Sequence, residues 1–127
     1  MLPNAVKCYQ SVEKESMSGR ETEARVLTQA ALKLIDCHKN WNSPDRNKRL
    51  NEALRYNQRI WTIFQVEVAK EENPLPTPIK ANIFHLSRFI DQRIFDSMAF
   101  PEIQKLDIII RINQNIAAGL RGSASDF

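Results

Sequence analysis

Cys37 and His38 are the side chains whose types could together support nucleophilic or metal chemistry. A reactive thiol needs a base, and a metal needs further ligands, held within reach. Neighbours on a helix point about 100° apart, so these two do not face each other. His85 falls in another predicted helix, and Cys8 lies far away in sequence. The acids show no His/Glu ligand motif, and no glycine-rich phosphate loop occurs. The reading is therefore non-enzymatic: no catalytic residue, no metal, no cofactor and no small-molecule substrate. Both cysteines are expected to be small buried or half-buried side chains of a reduced, cytoplasmic protein.

A second chemistry is phosphate or acidic-partner contact. Arg46, Lys48 and Arg49 crowd the start of a predicted helix, where positive charge opposes the helix dipole, and Arg55 and Arg59 extend the basic content. A solvated basic face with Asp45 and Glu52 as local partners explains the same residues. The 127-residue chain has a net charge of +3, and residues 1–40, 41–72 and 73–127 each hold six Lys/Arg and five Asp/Glu. Charge spread so evenly disfavours direct nucleic-acid binding.

Polar groups inside apolar stripes are more informative. Asn57 and Asn113 both fall where helical spacing points inward. A buried amide must find partners, so each either fixes helix register or faces a bound protein. Asn57 opens the stretch Asn57–Gln65, which mixes amides with Ile60, Trp61 and Phe64. Periodicity puts Trp61 and Phe64 on the inner stripe, while aromatic residues are also favoured interface anchors.

The elements that must position these groups read as helices. Three glycines in 127 residues argue against a turn-rich β fold. Ser18-Gly19-Arg20-Glu21 has the form of a capping box and predicts a helix to about Asn40, with Ala24, Leu27, Ala31 and Leu34 inside. Ser43 as cap and Pro44 at the first position predict a second helix to about Glu72. Pro74, Pro76 and Pro78 break the chain, and Thr77 as cap restarts it to about Met98, with Ile79, Ile83, Leu86, Ile90 and Ile94 inward and Phe84 and Phe89 at the margins. After Pro101, Ile103 to Leu120 repeat at helical spacing, and Gly119 is the expected stop. A short helix over about 4–15 precedes the four. No internal repeat stands out, and no run approaches a membrane span or a signal peptide. The fold class is all-α: a single-domain helical bundle over residues 1–120 with a flexible tail at 121–127.

Several segments together resemble a known family. They are Arg20–Leu27, Asn57–Gln65, Asn73-Pro74-Leu75-Pro76 and Ile112–Leu120, in order, within a span from about Tyr9 to Leu120. In these the chain resembles the bacterial flagellar biosynthesis regulator FlaF. The resemblance implies a cytoplasmic, non-enzymatic factor required for flagellin synthesis and export. It implies a flagellin-specific secretion chaperone that works opposite FlbT, a factor that restrains translation of the flagellin messenger. Flagellin, and FlbT as a further contact, are the expected partners. The candidate receiving groove is Asn57, Ile60, Trp61 and Phe64 on one helix with Ile83 and Leu86 on the next. The alternative is a post-transcriptional regulator acting on flagellin mRNA, directly or through its RNA-binding partner, by way of Arg46, Lys48, Arg49, Arg55 and Arg59.

Overall fold

The computed structural model describes residues 12–122. They form four helices: α1 Val12–Lys39, α2 Arg46–Ala69, α3 Thr77–Ala99 and α4 Leu106–Arg121, the last preceded by a 3₁₀ turn at Ile103–Lys105. No strand occurs among the described residues, so the isoleucine run 108–112 is helical as expected. The expected short helix over about 4–15, Cys8 and the end of the tail lie largely outside the described residues.

The helix boundaries follow local chemistry, with five corrections. The expected start at Ser18 does not occur, because α1 runs through it. No proline interrupts that span, and a glycine inside a helix costs only about 1 kcal/mol. Open space lies where a Cβ on Gly19 would stand, so no close contact requires a glycine there. Ser43 does not cap α2. Its hydroxyl donates to the Asp45 carboxylate instead, and Asp45 takes the cap position. Helix α2 stops at Ala69 rather than near Glu72, because Lys70 N–H turns back to Glu67 O at 3.2 Å. Pro76 rather than Thr77 caps α3, leaving Thr77 and Pro78 in the first turn. Gly119 does not stop α4, which continues to Arg121.

Helices α1 and α2 run in opposite directions, with Arg49 meeting Asp36 and Asn57 meeting Ala30, and the connections between helices are short. The α2–α3 connection is pinned by Asn73, whose side-chain oxygen accepts the Leu75 N–H at 3.0 Å, and the Leu75 side chain is buried in the core. Helix α1 packs most closely on α4, α2 packs on both α1 and α3, and α3 meets α4 only sparsely. Side-chain size explains the order. Ala24 and Ala31 lie on the side of α1 that carries Thr28, whose hydroxyl accepts from Arg121 of α4 at 3.0 Å, and Ala117 is buried on α4. Small residues at a crossing let two backbones approach. The rest of the core is filled by Leu27, Leu34, Leu54, Trp61, Ile83, Ile90, Ile94, Leu106 and Ile109, all fully buried. Burying one such side chain stabilises the fold by roughly 1.5–3 kcal/mol.

Candidate functional site

The stretch Asn57–Gln65 places its polar groups inside the bundle. Trp61 Nε1 donates to Asn113 Oδ1 at 2.7 Å. Asn113 Nδ2 donates to Asn57 Oδ1 at 2.6 Å. Asn57 Nδ2 then donates to two backbone carbonyls, Ala53 at 2.9 Å and Ala30 at 3.1 Å. The relay starts at an indole, crosses from α2 to α4 and back, and ends on α1. All three side chains are fully buried. A one-residue slip of α4 would leave the indole N–H and the Asn57 oxygen without partners, each costing about 1–3 kcal/mol. The relay therefore sets the register of three helices.

Of the six residues expected to line a groove, Asn57, Trp61, Phe64 and Ile83 are buried, with the Phe64 ring edge-on to the indole at 5.7 Å. Only Ile60 and Leu86 are half-buried and reach the surface. Four of the six thus build the core among the described residues, and a partner can touch only the other two without opening the bundle.

The accessible apolar surface lies mainly on α3. Phe84, Phe89, Phe95 and Phe100 are 41%, 40%, 62% and 67% exposed. Both buried polar atoms without a hydrogen-bond partner among the described residues, Arg93 Nε and Ser97 Oγ, are also on this helix. The four phenylalanines belong to one pattern written twice, five residues apart: Phe84, Arg88, Asp91, Phe95 and Phe89, Arg93, Asp96, Phe100. A five-residue shift turns the pattern about 140° round the helix, so it marks both edges of α3. The expectation that no internal repeat stands out missed this short one, and Phe95 and Phe100 were not among the expected site residues. Spacing of 4, 3 and 4 within each copy is the signal that finds them.

The edge carrying the second copy faces α4. Lys105, just before α4, reaches Asp96 Oδ2 at 3.0 Å and Phe100 O at 2.7 Å. On α4 itself, Asp107 and Arg121 reach α1, at His38 (3.4 Å) and Thr28 (3.0 Å). Ile108, Ile112 and Ile116 stand on the opposite side of α4, half-buried against the core. Leu86 and Phe89 on α3 and these isoleucines on α4 thus border the sparsely packed seam between the two helices. A family model described as flagellar protein FlaF matches residues 5–120.

The chain belongs to the FlaF family. It is thereby a flagellar protein, as the resemblance implied. No curated protein and no solved structure gives a match. Among the described residues of this FlaF chain, no helix is long and apolar enough to cross a membrane, and no group of three or more His, Cys, Asp or Glu is placed to hold a metal. Cys37 is buried and free, and His38 turns away from it to Asp107.

The expected basic patch of this FlaF chain divides in two. Arg49 is held by Asp36 and Asp45, both at 2.9 Å, and these contacts raise its affinity for its proton further. Arg46 lies over the Trp41 ring at 4.4 Å and donates to Asn47. Lys48, Arg55 and Arg59 share one outward stripe of α2, and no carboxylate stands within ion-pair distance of them among the described residues. Ile63 and Val66 continue that outer surface, both more than half exposed.

A cavity of about 220 Å³ opens where α1, α2 and the α2–α3 connection meet, with Arg20, Glu23, Glu67, Lys70 and Glu72 around it. Burial pushes the Glu23 carboxyl up to about 7, with Glu67 adding to the rise and Arg20 opposing it. The folded state thus holds this proton more tightly than the unfolded chain, so stability falls as pH rises from about 4.5 to about 7 and then levels off. Glu23→Gln copies the neutral form. It should be near neutral at pH 5 and stabilising by about 1–2 kcal/mol at pH 8, measured by urea unfolding at both pH values. Equal effects at the two pH values would show that Glu23 is not perturbed.

Proposed function

We propose that the protein binds flagellin as a secretion chaperone, links flagellin synthesis to export, and acts opposite FlbT. The observation that carries this reading is the seam between α3 and α4. It is the most sparsely packed junction between successive helices, and half-buried Leu86, Ile112 and Ile116 border it with Phe89 exposed at its lip. An amphipathic helical segment docks on such a surface through apolar anchors spaced three or four residues apart. The terminal segments of flagellin, helix-forming and unfolded before assembly, have that chemistry. Membership in a flagellar family supports flagellin as the source of the segment.

Calorimetric titration with purified flagellin tests the reading. Binding is expected at micromolar concentrations, and Leu86→Gln with Phe89→Ala should weaken it roughly tenfold or more. Thermal unfolding of the variant checks that the bundle persists. No heat of binding at tens of micromolar, or equal affinity of the variant, would sink the proposal. Co-purification with FlbT in place of flagellin tests direct contact with that factor.

A second reading is post-transcriptional control through RNA, supported by Lys48, Arg55 and Arg59 on one stripe of α2, three cations without an ion-pair partner among the described residues. It requires steeply salt-dependent binding of the flagellin messenger, because phosphate contacts release counterions. A gel-shift assay at low and moderate salt separates the two readings.

A further inference from the structure

Helix α3 carries its Phe-Arg-Asp-Phe pattern on two edges, and the chain pairs the rings and the aspartate of only one. On the edge facing α4, the Arg93 guanidinium lies 5.6 Å from the Phe89 ring centre, and Lys105 lies 5.6 Å from the Phe100 ring centre. Lys105 also neutralises Asp96 at 3.0 Å. On the other edge Phe84 meets only the edge of His85, at 6.4 Å between ring centres. Among the described residues no cation stands over Phe84 or Phe95, and neither Arg88 nor Asp91 has an ion-pair partner. Asp91 is half-buried, and that burial raises its carboxyl above the usual range. A carboxylate partly withdrawn from water and paired with no cation is stabilised when one arrives.

The open edge also has the right spacing for a partner helix. Extended by one residue at each end, it reads Ala81, Phe84, Arg88, Asp91, Phe95, Met98, with intervals of 3, 4, 3, 4 and 3. These are the intervals of a coiled-coil seam. Its chemistry is the same from either end: apolar, phenylalanine, charge, opposite charge, phenylalanine, apolar. A two-fold axis at the level between Phe89 and Ile90 therefore sets Phe84 against Phe95, Arg88 against Asp91 and Ala81 against Met98. The seam is about 26 Å long at 1.5 Å per residue.

We infer that a second copy of this chain docks antiparallel on this edge of α3, pairing Arg88 of each protomer with the partner's Asp91 and Phe84 of each with the partner's Phe95. The interface is isologous and closes as a dimer, since the same patch serves both protomers. Charge complementarity selects this occupant: a copy of the chain supplies both ion pairs and both aromatic layers at once. The dimer leaves the α3–α4 seam free, so it stands whether or not that seam binds flagellin.

The test is a charge exchange read by sedimentation velocity on the full chain, at about 1 to 300 μM, the range suited to a small interface. Wild type should move from 14.7 kDa toward twice that mass as concentration rises. Arg88→Asp sets a carboxylate against the partner's Asp91, and Asp91→Arg sets a cation against the partner's Arg88. Each variant alone should weaken self-association about a hundredfold or more, because like charges are brought together twice. Mixing the two variants restores both opposite-charge pairs, so the mixture should form a heterodimer. Circular dichroism and thermal unfolding establish that each variant is folded. A monomeric wild type over the whole range, a dimer that both variants leave intact, or a mixture that stays monomeric would each overturn the inference. Capture of a flagellin segment by a monomer through Arg88 and Asp91 would also overturn it.

Discussion

Trp61→Ala is expected to remove roughly 3–5 kcal/mol of stability, a large fraction of the roughly 5–15 kcal/mol that holds a domain together. The indole is fully buried, lies edge-on to Phe64 and donates to Asn113 at 2.7 Å. Truncation leaves a large cavity and a buried amide oxygen without its donor. Trp61→Phe separates the two effects. Much of the apolar volume stays, but Asn113 Oδ1 still loses its partner, so about 1–3 kcal/mol should be lost. The control is Ile63→Ala one turn face away, where the side chain is 52% exposed and the loss should stay within about 0.5 kcal/mol. Urea unfolding followed by far-ultraviolet circular dichroism measures all three. If Trp61→Ala stayed within 1 kcal/mol of wild type, the stretch Asn57–Gln65 would have to be an interface rather than a core.

The bundle was legible because helical periodicity and proline chemistry act locally. Ile79, Ile83, Ile90 and Ile94 on α3 and Leu50, Leu54, Trp61 and Phe64 on α2 are buried where their spacing put them. Boundaries were less legible because several local signals compete. Ser18 and Glu21 have the types of a capping box, but with no proline in the span α1 runs through them. Gly119 has the type of a helix stop, but Ala117 and Leu120 are buried on either side of it and hold the last turn in place. Which neighbour covers which edge depends on packing between distant segments. Phe84 and Phe89 both read as marginal in sequence. Only the placement of Arg93 and Lys105 shows that the rings on the edge carrying Phe89 are matched within the chain, while the edge carrying Phe84 is open among the described residues. The same limit applied to the amides. Spacing put Asn57 and Asn113 inside, but a bond across 56 residues of sequence joins them, and no local rule could assign it.

That bond makes the second large effect a coupled one. Asn113→Ala should cost about 2–4 kcal/mol, because it strands both the Trp61 N–H and the Asn57 oxygen. Asn57→Ala should cost a similar amount, since it strands the Asn113 amide and frees two backbone carbonyls from their additional donor. If the amides act as one unit, the double variant loses less than the sum of the two. A coupling of about 1–2 kcal/mol is expected from the urea midpoints, and simple additivity would refute the unit. The apolar pair Asn57→Leu with Asn113→Leu sharpens the point. Replacing both partners with groups of similar size removes their mutual need, yet the Trp61 N–H remains without an acceptor. That variant should recover stability over either single change but stay about 1 kcal/mol below wild type. Adding Trp61→Phe removes the last orphaned donor and should close much of the gap. A closed gap with broader unfolding or several amide resonance sets would show what the relay contributes beyond energy: a single register for α1, α2 and α4.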